Sequence, residues 1–398
     1  MMKNKSSEKN YLKHWYFFLS GIFISTLGST TFTVCLISFL LERNYDLKTI
    51  GILIGCARLF PVITTGLFGH VPDRLQPKKV ILLIDYLAIG ITIGLYQSAL
   101  HIEENFILFS TLFVLRSGLL NIQSGARSKI SKLMSSQSFE SNSKNAIHLN
   151  FALQGSNLIA GLMSYFFLNN HPFTTIILFD LSTFLIHSFF LLILPGSFAK
   201  NESVIPLNKI KIGISTKFKH LFHYVPKQAV QDIILSLAIT GFWSFGAKLT
   251  QESHYSTPIW LINYGIAVLF TSIFHSVTLK IHYLFAWISL LSLFFMYYII
   301  DIYSPQVIIL HLCMCFFYWV LNHKISADIQ FLAPVEHISS IMSARNVLLI
   351  LCLGSGEFIV GLSDQKMGVG MEGIFRGSII LLFLMMTFTL KLKKIKGH

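Results

Sequence analysis

Two uninterrupted apolar runs, Thr49–Phe68 and Val80–Leu100, are joined by a short charged corner, Gly69-His70-Val71-Pro72-Asp73-Arg74-Leu75-Gln76-Pro77-Lys78-Lys79. Each run has about the 20 apolar residues that an α-helix needs to cross a bilayer. The corner therefore reads as a membrane hairpin. Its basic residues, Arg74, Lys78 and Lys79, hold it on the cytoplasmic side, because short loops rich in Lys and Arg are retained there during insertion.

The same pattern continues along the chain. Apolar runs recur at Trp15–Leu41, Asn105–Ser124, Ala146–Leu168, Phe173–Leu194, Gln228–Gly246, Thr257–Val277, Tyr283–Ile302, Gln306–Leu321, Ser343–Gly361 and Glu372–Leu390. With the hairpin pair they make twelve predicted transmembrane helices. A soluble domain carries about a quarter charged residues; here the charged share is 12% and the mean hydropathy +0.64. Hydrocarbon offers the backbone no hydrogen bonds, so spans of this length predict an all-α polytopic membrane protein. The first run, preceded by Lys3, Lys5, Lys9 and Lys13, is too long for the apolar stretch of a secretory signal and reads as a retained helix.

An even number of crossings places both termini on one face. Basic residues crowd the N-terminus, the corner, the fourth connection (Arg127, Lys129, Lys132, Lys144), the central connection and the C-terminal tail (Lys391, Lys393, Lys394, Lys396), with further ones at Lys280, Lys324 and Arg345. The opposite face holds only Arg43, Lys48, Lys248 and Lys366. Both termini are thus expected in the cytoplasm. The net charge of +13 is a topology signal with attraction to anionic lipid as its side effect. Spread over many short segments, it does not form the single basic face of a nucleic-acid binder. The longest polar connection suggests two six-helix units, residues 1–194 and 228–398, around a cytoplasmic loop at 195–227, with a substrate site near the midplane between them.

The corner carries a family resemblance. A glycine followed four residues later by Asp-Arg, then by paired basic residues opening the next helix, resembles the signature between the second and third helices of the major facilitator superfamily; Gly69, Asp73, Arg74, Lys78 and Lys79 match it. Gln76, in place of the later glycine, is similar to the bacterial enterobactin exporter and macrolide efflux branch. So is the run Gln330-Phe-Leu-Ala-Pro334-Val-Glu336-His337, followed by Ser343-Ala-Arg-Asn346 and by Gly354, Gly356 and Gly361. The resemblance implies the major facilitator fold, two six-helix bundles around a central cavity. It also implies that Asp73 and Arg74 make charge contacts with neighbouring helix ends that hold one closed state. The fifth helix departs from the exporters' Gly-Pro pair: Gly155-Ser156 stands there, then Gly161.

Ionisable groups at bilayer depth cost at least about 2.5 kcal/mol on insertion scales, so those present face a cavity or a partner. Arg58 shares a helix face with Gly51 and Gly55 and either snorkels between helices or points into the cavity. Arg116 resembles the buried arginine of the superfamily's fourth helix, associated there with proton coupling; it needs an anionic ligand or a counter-ion, for which Asp85 is the candidate. Asp85, Asp232 and Glu357 lie near span ends, where water reaches them. Asp180 lies deeper, and a carboxyl withdrawn from water holds its proton more readily, so Asp180 leads and Glu357 follows as proton carrier. His148, His187, His275 and His311 read as packing residues. Cys35, Cys56, Cys313, Cys315 and Cys352 lie within apolar runs, where thiols act as small hydrophobes, and no metal-ligand spacing accompanies them.

No G-x-x-x-x-G-K-[ST] loop is present, which excludes that route to ATP as the energy source. No cofactor is called for, and proton-motive force is the expected drive. The leading expectation is a secondary transporter, monomeric, exporting a small organic molecule, with an anionic siderophore the favoured cargo. Multidrug efflux and uptake of a nutrient or ferric chelate are the alternatives. An enzyme or receptor reading lacks support: no H-E-x-x-H or G-x-S-x-G motif occurs, and the chain has no long soluble segment.

Overall fold

A computed structural model describes residues 5–134, 139–195, 214–236, 280–299 and 306–362, together with 266–267, 269–271 and 273–274. The described elements are helical throughout. The first unit contains α1 (Lys5–Glu42), α2 (Leu47–Phe68), a single turn α3 (Val71–Arg74), α4 (Pro77–Leu100) and α5 (Ile102–Leu133). It continues with α6 (Phe139–Asn150), a π-turn (Phe151–Gly155), α7 (Ser156–Asn170) and α8 (Phe173–Ile193). Beyond the central connection come α9 (Ile214–Tyr224), a helical stretch over 226–236, α10 (Tyr283–Ile299), α11 (Gln306–Leu332) and α12 (Ile338–Leu362). Six spans among the described residues are long and apolar enough to cross a membrane, and all lie before residue 194.

Helix ends follow local chemistry. Pro77 opens α4 at a position where its missing N–H costs nothing. Asp46 caps α2, its carboxylate accepting from the Thr49 N–H at 3.1 Å. Asn44 takes a left-handed conformation, φ 62°, in the turn before it.

Each helix buries one side and leaves large apolar residues such as Leu83, Ile107 and Phe189 exposed on the other, as lipid-facing helices do. Two cores lie at the two ends of the first unit: Trp15, Phe18, Ile81 and Ile130 in one, Phe32, Leu95, Phe109 and Ile177 in the other. A third core joins Leu221 and Val225 of the α9 region to Trp287, Ile325, Ile338 and Ile341. Small residues let helices approach closely. A β-carbon built on Gly28 would collide with Thr183 of α8, and one on Gly69 with Ser343 of α12.

Several sequence expectations change. The fourth span runs Ile102–Leu133 instead of ending at Ser124, and the tenth runs to Leu332 instead of Leu321. Basic residues assigned to loops, Arg127, Lys129, Lys132 and Lys324, are therefore helical. The apolar window ends earlier than the helix because these turns are buried against protein, where polar side chains find partners. The central connection contains α9, packed into the third core. Where the exporters' Gly-Pro pair would stand, the fifth span carries its π-turn instead, a local widening frequent at functional sites. The predicted spans Gln228–Gly246, Thr257–Val277 and Glu372–Leu390 fall mostly or wholly outside the described residues.

Candidate functional site: a charged corner and three buried ion networks

The corner is one of the places where the two units meet. Asp73 is 4% exposed, and its carboxylate accepts from the backbone N–H groups of Ser339 (3.2 Å) and Ser340 (2.9 Å) and from the Ser340 hydroxyl (2.6 Å). These are the free amides of the first turn of α12, the positive end of that helix. Asp73 thus caps a helix of the opposite unit. Lys129 of α5 neutralises it from behind: its ammonium donates to the carbonyls of Pro72 and Asp73, each at 3.0 Å, and lies 3.7 Å from Asp73 Oδ1. Gly69 completes the seam, its carbonyl accepting from the hydroxyls of Ser339 and Ser343, both at 2.9 Å. Asn346 reaches Ser124 at 2.5 Å.

The other corner residues do different work. Lys78 donates to the Leu194 carbonyl at 2.6 Å, tying the corner to the end of α8. Arg74 is half-buried and Lys79 exposed. Among the described residues, the side-chain hydrogen bonds between the first unit and α9, α11 or α12 gather at this end of the molecule.

Arg116 does not pair with Asp85, as expected, but with Asp180 of α8, Nη2 lying 2.5 Å from Oδ2. Ser29 of α1 bridges them, accepting from Arg116 at 3.0 Å and donating to Asp180 at 3.3 Å. The guanidinium also lies over Phe32 and Phe184, 4.9 and 5.2 Å from their centroids. Both charges are buried. The reason for the changed partner is depth: Arg116 and Asp180 meet where α1, α5 and α8 converge, whereas Asp85 sits nearer the corner end.

Asp85, expected to be solvated, is fully buried. His187 Nδ1 lies 2.9 Å from its Oδ2, Gln123 donates to Oδ1 at 2.6 Å, and Arg127 donates to Gln123 at 2.5 Å. Asp232 is likewise buried, in a two-point pair with Arg345. Asn322 and Ser326 accept further bonds from that guanidinium, at 2.8 and 3.1 Å. Arg345, counted in the sequence as a cytoplasmic anchor, is therefore internal. Alternation of apolar residues gave no sign of these pairs; an acid and a base at similar depth in different spans was the available signal. Arg58 is exposed on α2. The side chain of Glu357, in the last turns of α12, and His275 lie outside the described residues.

A looser polar cluster flanks the π-turn. Thr30 donates to Asn157 at 3.3 Å, and Asn157 to Gln154 at 3.1 Å. Near the corner, the rings of His220 of α9 and His337 before α12 meet at 44° with centroids 4.4 Å apart, and Tyr224 stacks on His337 at 5.9 Å. Burial lowers the basicity of both histidines. For His220 the neighbouring His337, His223 and Lys219 lower it further, while for His337 Glu336 works in the opposite direction.

No known family profile matches the sequence, and no curated protein matches it. Solved structures do match over nearly the whole chain. The human organic anion transporter TETRAN aligns with a TM-score of 0.74 at 14% identity, covering 95% of this chain and 99% of its own. A bacterial homologue of the iron transporter ferroportin, in an outward-facing state, aligns at 0.69 and 13%, covering 96% and 99%. The E. coli fucose:proton symporter aligns at 0.68 and 14%, covering 95% and 98%.

Two measurements probe this geometry. Removing one member of a buried ion pair costs about 3–5 kcal/mol, whereas replacing both with apolar residues is often tolerated. Asp180→Leu is therefore expected to lower the unfolding temperature sharply, and Arg116→Met with Asp180→Leu to recover most of the loss; equal losses in the single and double variants would contradict the pairing. The histidine pair gives a pH dependence. Both histidines bind protons less readily when packed than at their ordinary value near 6.5, so the packing of α9 is complete above that pH and weakens as pH falls below it. Hydrogen exchange over 214–224, corrected for intrinsic rate, is expected to be faster at pH 5.5 than at 7.5, and His220→Phe with His337→Leu to remove the difference.

The fold these observations establish is that of the major facilitator transporters, an all-α membrane bundle matched along nearly its full length.

Proposed function

We propose that the protein is a secondary active transporter of a small organic molecule, driven by the proton gradient in the direction of export. The observation that carries the transporter reading is Asp73: a buried carboxylate of one unit caps a helix of the other. Such a contact exists only while this end is closed. Surface charges at a helix terminus gain about 0.3–1 kcal/mol and partly buried ones up to about 2 kcal/mol, enough to bias two nearly equal conformations without locking either. A gate of that strength suits alternating access around a midplane site. The same fold serves a proton symporter and an organic anion transporter among the matched structures, which supports transport over catalysis.

Proton coupling is assigned to the buried acids of the first unit, Asp180 first, because Arg116 gives it a partner whose strength changes on protonation. Export of a siderophore rests on the branch resemblance around Gln76 and Gln330–His337 and on Arg58 as the exposed cation of α2. Arg116 adds nothing to anion recognition while Asp180 neutralises it. That neutralisation, with the amide and hydroxyl groups of Thr30, Gln154 and Asn157 beside the π-turn, favours a second reading, efflux of uncharged drug-like molecules.

A deletion strain grown without iron distinguishes these readings. Mass spectrometry of medium and cells is expected to show an iron chelator lost from the medium and retained in cells. Unchanged medium would end the siderophore reading, and hypersensitivity to drugs in the same strain would establish the second. Independently, Asp73→Lys is expected to reduce transport at least severalfold while the protein remains in the membrane, since a cation placed against the first turn of α12 repels it. Normal transport by that variant would remove the gating role.

A further inference from the structure

We propose that closure of the corner end is held by two lysines that exchange helix caps between the units, Lys132 and Lys217, and that α9 is a moving part of the gate instead of a passive tether. The consequence for transport rests on the reading above, but the closure is measurable without any cargo.

Lys132 lies in the last turn of α5, in the first unit. Its ammonium donates to the carbonyls of Gln330, at 2.5 Å, and Ala333. These are terminal carbonyls of α11, which ends at Leu332. Lys217 makes the reverse connection. It lies on α9, whose region packs through Leu221 and Val225 into the core containing Trp287 and Ile341. Its ammonium donates to the carbonyls of Thr65, at 3.2 Å, and Gly66, in the last turn of α2, which ends at Phe68.

The last four carbonyls of a helix lack intrahelical partners and carry the negative end of its dipole. Each lysine offsets that charge for a helix of the opposite unit and adds a donor, Lys132 to Gln330 and Ala333, Lys217 to Gly66 and to Thr65, whose carbonyl also accepts from the Gly69 N–H at 2.9 Å. Lys217 is 1% exposed, so separating the units would pull its ammonium from these acceptors. Burial lowers its pKa to about 8, which still leaves it mostly protonated at neutral pH. Together with Asp73 at the start of α12, three helix termini are capped in trans at one end. The two C-terminal caps point in opposite directions between the units, so neither unit can swing away without breaking one. Because Lys217 travels with the third core, opening must carry α9 away from α2.

The test is hydrogen exchange by mass spectrometry on the full-length protein in lipid nanodiscs, comparing native protein with Lys132→Met, Lys217→Met, the double variant and the Lys→Arg pair. Exchange over 65–70 and 330–340 is expected to rise roughly two- to fivefold in each Met variant, more in the double, and to stay near native in the Arg variants. The opposite end, around Asp46–Thr49, should not accelerate. Unchanged exchange in both Met variants would overturn the proposal, as would a uniform rise at both ends, because the lysines would then stabilise the fold and not the gate. Failure of the cargo assay leaves these rates unaffected, so the two readings fail separately.

Discussion

A charge surrounded by hydrocarbon and apolar side chains must find its partner inside the protein, and the arrangement of this bundle follows from where each partner lies. Asp73 is the decisive case. No side-chain cation of its own corner neutralises it; Lys129 of α5 and the amide groups of α12 do. A loop between two adjacent spans thereby becomes a joint between the units. Its glycine, Gly69, admits Ser343 where any β-carbon would collide, and the approach of α2 to α12 depends on that missing atom.

The ion pairs away from the corner have a different character. Arg116–Asp180 and the chain Arg127–Gln123–Asp85–His187 are internal to the first unit, while Arg345–Asp232 is internal to the second. They tie helices together within a unit. Between the units, the charge-to-terminus bonds at the corner end accompany the packing of α12 on α2 and of α11 on α6.

Much of the fold was legible from residues alone. Apolar length predicts the six spans of the first unit and most of their ends, because the bilayer imposes that rule on every segment separately; the fourth runs nine residues beyond its apolar stretch, to Leu133. The corner residues Gly69, Asp73 and Lys78 were visible as a motif, and all three are structural participants. The errors have two causes. A hydropathy window ended the fourth span at Ser124, so Arg127, Lys129 and Lys132 were read as solvated anchors; Asp85, Asp232 and Arg345 lie near the ends of their spans and were assigned to water. In the folded chain Arg127, Lys129, Asp85, Asp232 and Arg345 are buried on helices and Lys132 is half-buried.

By itself, the sequence determined that this chain is a helical membrane protein and where the corner between its second and third spans lies, since these depend on local composition. Only the tertiary structure decided which acid meets which base. Asp180 rather than Asp85 faces Arg116, and Lys132 and Lys217 end on backbone carbonyls that have no sequence signature at all. Such pairings depend on helix rotation and relative depth. A substitution pattern along one helix carries no information on the rotation of the next, so they become readable only when the helices are packed.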